Sequence, residues 1–266
     1  MPPSKALKTF NATPPASPPP SSVPRSEAYG RDLLSQDYAG SFLLVAGLLL
    51  FGLITFQFFR EPPRMISNAV SDVRPLATIV RSPHFIIASL TAAIGFGVMS
   101  FIMTATPINM HEICGIGLID TKRVIQAHIL AMFSPSLISG WLMNRFGISR
   151  MIAVGTGIFG AVLCIGLLGR ELIHFWGSLV LLGIGWNLLF VGGTALLPAC
   201  YAPSERYKVQ ATNDLVVFGS QAIASLSAGW FLFSFGWNVL LLSCIPFILI
   251  ALARWQHRVD LTPESR

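Results

Sequence analysis

Residues 144–160, NRFGISRMIAVGTGIFG, carry two patterns that imply different folds. The last six, Gly155-Thr156-Gly157-Ile158-Phe159-Gly160, spell G-x-G-x-x-G, the glycine spacing of a dinucleotide-binding turn. Such a turn needs a strand before it and a helix amino terminus aimed at phosphate. Here the glycines sit inside an apolar run of membrane-crossing length, where a helix already bonds their amides internally. The spacing is therefore a coincidence, and the run reads as a transmembrane helix. Ala153, Gly157 and Ala161 recur at every fourth residue along it, a small-residue face on which a neighbouring helix is expected to pack.

The rest of the chain agrees. Of 266 residues, 53% are hydrophobic and only 11% charged, and the mean hydropathy is +0.65. That is too little polar surface to wrap a soluble core of this size. Runs of about 20 residues, long enough to cross about 30 Å of hydrocarbon, are read at 40–59, 85–106, 124–143, 151–169, 172–197, 215–235 and 239–255. Transmembrane strands would alternate in polarity, whereas SFLLVAGLLLFGLITFQFF at 41–59 is apolar on every face. The expected fold is all-α, a polytopic membrane protein of about seven transmembrane helices.

A net charge of +6 could suggest nucleic acid, but the basic residues are scattered among short loops instead of forming a patch. Their placement is topological. With the end of the first span taken as cytoplasmic, one side collects Arg60, Arg64, Arg74, Arg81, Arg145, Arg150, Arg206, Lys208, Arg254, Arg258 and Arg266. The other side receives Lys122, Arg123 and Arg170 from its loops, so the carboxyl terminus is expected in the cytoplasm. The four cysteines contain no C-x-x-C, and neither a metal site nor a disulfide framework is expected.

Composition divides the chain into a Pro/Ser-rich tail at 1–38, a lone helix at 39–59, a basic linker at 60–84, a six-helix bundle at 85–256 and a short tail at 257–266. The tail is expected to be disordered and the linker to hold a surface helix.

The hairpin that opens the first quoted stretch is the most specific signal. Gly140-Trp141-Leu142-Met143-Asn144-Arg145-Phe146-Gly147-Ile148-Ser149-Arg150 resembles the G-x-L-x-D-R-x-G-x-R-R loop of the major facilitator superfamily, between the second and third helices of a half. MTATP at 103–107, QAHILAMFSPSLISG at 126–140, GWNLLFVGGTALLP at 185–198 and VQATNDLVVFGS at 209–220 are similar to one group of bacterial permeases in it. Asn144 stands where the family pattern has Asp. An amide can cap the next turn but brings no charge for a neighbouring Arg.

The resemblance implies the carboxyl-terminal half of that fold, helices six to twelve, moving a small solute by alternating access between two six-helix halves. It further implies a bacterial inner membrane and a site near the midplane. By that count the first five helices are missing, so the chain is expected as a truncated product, a half that dimerises, or a half with a separate partner. A seven-helix receptor or sensor and an inactive transporter fragment are the alternatives.

Polar residues inside spans mark the candidate site. At about 100° per residue, Gln210, Asp214, Gln221 and Ser225 form a polar stripe on one helix. Gln221 is the pathway candidate, while Asp214 lies near the cytoplasmic end, where it suits a helix start or an inner gate. His128 is expected to face inward, where it binds solute, carries a proton or, as the commoner fate, makes a structural hydrogen bond to a neighbouring helix, and Asn187 to contact solute or bond across helices. Gly140, Asn144, Arg145, Gly147 and Arg150 make up the gating loop, with Gly147 permitting the turn. Pro107 and Pro135 should soften their helices, because each removes a backbone donor. No cofactor, metal or catalytic residue is expected, and the anticipated partners are lipid, a small solute and a coupling proton or ion.

Overall fold

Ser82 and Pro83 show how sequence sets a helix boundary here. The Ser82 hydroxyl accepts the Phe85 N–H at 3.3 Å, and Pro83 takes the first helical position, where its missing donor costs nothing. The computed structural model describes residues 39–59 and 73–259. The 1–38 tail, most of the 60–84 linker and the end of the chain from residue 260 lie outside the described residues.

Two units are distinguished, the first ending before residue 70. The first contributes α1, Ala39–Gln57, whose sequence is apolar around its whole circumference. The second contains α2 (Leu76–Val80), α3 (Pro83–Ile108), α4 (Leu118–Phe133), α5 (Ser139–Phe146), α6 (Ile148–Leu168), α7 (Leu172–Leu196), α8 (Arg206–Leu242) and α9 (Ile245–Val259). Among the described residues there is no strand. The seven expected runs lie largely in helix, and a short helix, α2, lies in the linker. Among the described residues four helices are long and apolar enough to cross a membrane, or five with α4 and α5 taken as one bent span.

The helices that break do so where the chain requires it. Pro107 is followed by one π turn, Asn109–Ile113, that ends α3. Pro135 lies in a 3-10 turn between α4 and α5, whose axes are bent by 56° and which together are long and apolar enough for one crossing. The 37 residues of α8 would reach about 55 Å if straight, well beyond one bilayer core. Gly236, at φ 80° and ψ 171°, interrupts it, so that residues 206–235 and the segment leading into α9 can cross separately.

Hydrophobic burial between helices counts for little in lipid, where close backbone approach and hydrogen bonds must hold the bundle. A Cβ on Gly183 would lie 2.7 Å from the His128 carbonyl of α4, and one on Gly193 would lie 2.8 Å from the Ala88 carbonyl of α3. The small-residue contact of α6 differs from expectation. Gly155 packs against α7, its Cβ position 3.1 Å from the Gly185 carbonyl, whereas Gly157 has nothing within 4 Å. The register is set by Ile152, Phe159 and Val162, which bury on the Gly155 side and turn Gly157 outward.

These contacts place α4, α7, α3 and α8 in a row, with α6 behind α7 and α9 behind α3 and α6. Trp237, buried, ties the last crossing to α6 by donating its indole N–H to the Gly166 carbonyl at 3.1 Å.

Candidate functional site

The row has a front and a back, and the side chains identify them. On α3, Ile94, Val98 and Phe101 meet Ser243, Cys244 and Phe247 around an apolar cleft of about 510 Å³ shared with α8. This cleft is on the back. Its hydroxyls are already used within the bundle: Ser220 donates to the Val217 and Ala93 carbonyls, Ser227 to Ala224 and Ser243 to Leu240. It offers shape but no polar handle for orienting a solute.

Phe96 lies about 160° around α3 from both Ile94 and Val98, so it faces front. On α7, Gly185 and Gly192 pack against α6, and Phe190 lies about 140° to 160° away from them. On α8, Phe218 lies about 140° to 180° from Ile223, Ser220 and Ser227 of the back cleft. The front therefore carries aromatic rings from successive helices.

These rings touch. Trp186 and Phe190 stack with centroids 5.2 Å apart and planes 7° from parallel. Phe96 meets both edge-on, at 5.2 Å each. Phe218 of α8 meets Phe96 at 5.6 Å, and Phe133 of α4 meets Trp186 at 6.2 Å. Phe133 and Phe218 remain 59% and 46% exposed, so the ends of the array are uncovered. Sequence reading missed this cluster because only polar residues within spans were taken as candidates; the aromatic pair at i and i+4, Trp186 and Phe190, was the available signal.

Of the polar candidates, Gln221 is on the front. It is half-buried, shares its face with Phe218 and Asp214, and makes no hydrogen bond among the described residues. Ser225, one turn further, bonds the Thr104 hydroxyl of α3 at 3.1 Å. Asp214 is exposed and accepts from the Asn213 amide at 3.2 Å. Gln210 leaves the stripe for the Tyr201 hydroxyl at 3.0 Å.

Asn187 bonds across helices, donating to the Met132 carbonyl at 2.7 Å and the Ser136 hydroxyl at 2.6 Å. The His128 side chain is fully enclosed between α4 and α7, with Nδ1–H donating to the Leu179 carbonyl at 2.7 Å, a bond to a neighbouring helix of the kind expected as its structural role. Gly183 draws the two helices so close that the imidazole finds a partner carbonyl rather than a cavity.

In the gating loop, Gly147 adopts φ 81° between α5 and α6, as its expected role in the turn requires. Asn144 is exposed and caps no helix; Gly147 occupies that position with no side-chain bond. The Arg145 guanidinium rests 5.9 Å over the Phe146 ring, Arg150 is exposed, and Gly140 has open space around its Cβ position.

A denser ionic site joins the linker to the segment before α8, outside the spans. The Arg74 side chain donates to both Glu205 carboxylate oxygens, at 3.0 Å from Nε and 2.7 Å from a terminal nitrogen, and its backbone N–H donates at 2.9 Å. The Ala202 N–H adds a fourth bond to Glu205, and Lys208 donates to the Arg74 carbonyl. The Arg74 guanidinium, then the Ala202 amide, hold the Glu205 carboxyl at about 2, below its ordinary range. Among the described residues no group of His, Cys, Asp and Glu could hold a metal ion, and no disulfide joins the cysteines.

Comparison with known proteins adds an independent line. Residues 115–265 match the sequence profile of the Major Facilitator Superfamily. The riboflavin transporter RfnT of Brucella anthropi is 41% identical over 221 residues, which cover 81% of this chain and 54% of that protein. Two uncharacterized MFS-type transporters of Bacillus subtilis are also similar. YddS is 29% identical over 237 residues, 83% of this chain and 54% of its own length; YdeG is 32% identical over 208, 72% and 47%. The chain spans about half the length of the curated relatives it matches.

Proposed function

The chain belongs to the major facilitator superfamily as an integral membrane protein, and on that premise we propose that it is the carboxyl-terminal half of a secondary transporter for a small solute. The α4, α7, α3 and α8 wall lines one side of a central passage, and a second six-helix half, or a second copy, completes it. Alternating access then comes from rocking of the two halves about a site near mid-membrane.

The observation that carries this reading is the asymmetry of the wall. Its front gathers five aromatic rings and Gln221, while its back is an apolar cleft whose hydroxyls are internally bonded. Gln221 on α8 contacts solute, while Asn187 and His128 hold α4 to α7 at the other end of the wall. Asp214 and the 140–150 loop lie toward the inner gate. The excess of Arg and Lys on one side supports a cytoplasmic carboxyl terminus, and the bacterial relatives support an inner-membrane location. A proton or ion gradient drives transport, the coupling that secondary transporters of this architecture use.

Riboflavin is the first solute to test, given the similarity to RfnT. The experiment is uptake of labelled riboflavin by a bacterial host unable to synthesise it, expressing this chain alone or with the amino-terminal half of RfnT. Saturable uptake abolished by a protonophore is expected in at least one case. No uptake above the empty host in either, with the chain confirmed in the membrane, contradicts the reading.

A further inference from the structure

The geometry points to a binding platform for the flat ring system of the solute, an inference that rests on the transport reading above and narrows it. The platform is the array Phe133, Trp186, Phe190, Phe96 and Phe218, and its ligand is a planar, fused-ring heteroaromatic compound.

Helix packing accounts for the middle of the array, since Trp186 belongs to the buried core and Phe96 and Phe190 pack against Ala92, Ala93 and Val217, but not for its two ends. Where α7 meets α3, Gly193 sits against Ala88 and Ala92 and Leu189 against Gly95. Where α7 meets α4 the contact is made by Gly183 and by the Asn187 and His128 hydrogen bonds. Phe133 and Phe218, at the two ends, are not part of that packed core and keep about half their surface uncovered. Aromatic faces so exposed can take another flat ring in offset or edge-on contact.

Trp186 supplies a second, independent sign. Its side chain is 5% exposed and Nε1 has no hydrogen-bond partner among the described residues. A buried indole N–H ordinarily finds an acceptor. On the next residue, Oδ1 of Asn187 is an acceptor equally without a donor. A ring bearing both a carbonyl and an N–H on its edge could satisfy such groups when the aromatic side chains part to admit it. The five ring-bearing side chains are uncharged, so ring shape and edge chemistry select the ligand rather than net charge.

The test uses the full chain in lipid nanodiscs, with riboflavin as the probe and quenching of its fluorescence as the readout. Two competitors divide the molecule: lumichrome, which keeps the fused ring, and ribitol, which keeps only the tail. Lumichrome is expected to displace riboflavin and ribitol is not. Phe133→Leu and Phe218→Leu, at positions about half exposed, should each weaken binding about fivefold or more with the melting temperature close to the parent's, and Phe218→Trp should retain binding. Competition by ribitol as strong as by lumichrome, leucine variants that bind as well as the parent, or no binding of riboflavin or lumichrome by the parent would each overturn the platform. The transport reading fails separately, through absent uptake while binding is intact; unchanged half-saturation of uptake in the leucine variants removes only the platform.

Discussion

Asn187 and His128 illustrate what a single residue in lipid is obliged to do. Each carries polar atoms that hydrocarbon cannot solvate, and each has found a carbonyl on the facing helix. Asn187→Ala should lower stability in detergent by about 1 kcal/mol, read as a fall in melting temperature, because Ser136 and the Met132 carbonyl lose their donor. No change would mean that the two bonds contribute nothing. Glu205 provides a pH-dependent case. Its carboxyl titrates at about 2 in the folded chain, below the ordinary range above 4. The Arg74 network is thus fully stabilising above about pH 4.5 and is lost as pH falls toward 2, since the unfolded chain takes up the proton first. Glu205→Gln should melt at a lower temperature than the parent at pH 7, and its melting temperature should decline less between pH 5 and 3; parallel declines contradict the assignment. Sequence showed that His128 and Asn187 needed partners but not which ones, because the acceptors come from residues 51 and 55 positions away in the chain.

Helices in this bundle are positioned by glycines, and their effects depend on the facing element. Gly183→Ala places a methyl group 2.7 Å from the His128 carbonyl, a backbone atom that can yield only if α4 moves. It should lower the melting temperature and expose the α4 and α7 contact to hydrogen exchange. Gly157→Ala meets open space and replaces a poor helix former with a good one, a gain of up to about 1 kcal/mol. If both substitutions behave alike, the packing of α7 as described is wrong. The existence of the helices was legible from apolar run length, and the bend of α4 and α5 from Pro135. The choice of Gly155 over Gly157 as the contact residue was not, because a helix apolar on nearly every side gives no strong moment to orient it. The aromatic array was missed for the same reason: Phe and Trp in a membrane span are unremarkable until four helices bring them together.

For the whole molecule, composition was decisive. An 11% charged chain must be solvated by lipid, and the hairpin at 140–150 pointed to the superfamily that the profile match at 115–265 bears out. The polar stripe was legible on α8, but the proposal of a wall lining a passage needed the order of all the helices. That wall is the central claim, and cysteine accessibility tests it most directly. In a version with Cys114, Cys164, Cys200 and Cys244 replaced, single cysteines are placed at Gln221 and Phe218 on the front and at Ile223 and Phe247 on the back. They are then treated in membranes with a water-soluble, charged thiol reagent. If the front lines an aqueous passage, Gln221→Cys and Phe218→Cys react and excess solute protects them, while Ile223→Cys and Phe247→Cys stay inert in lipid. Reaction at the back positions with silence at the front contradicts it.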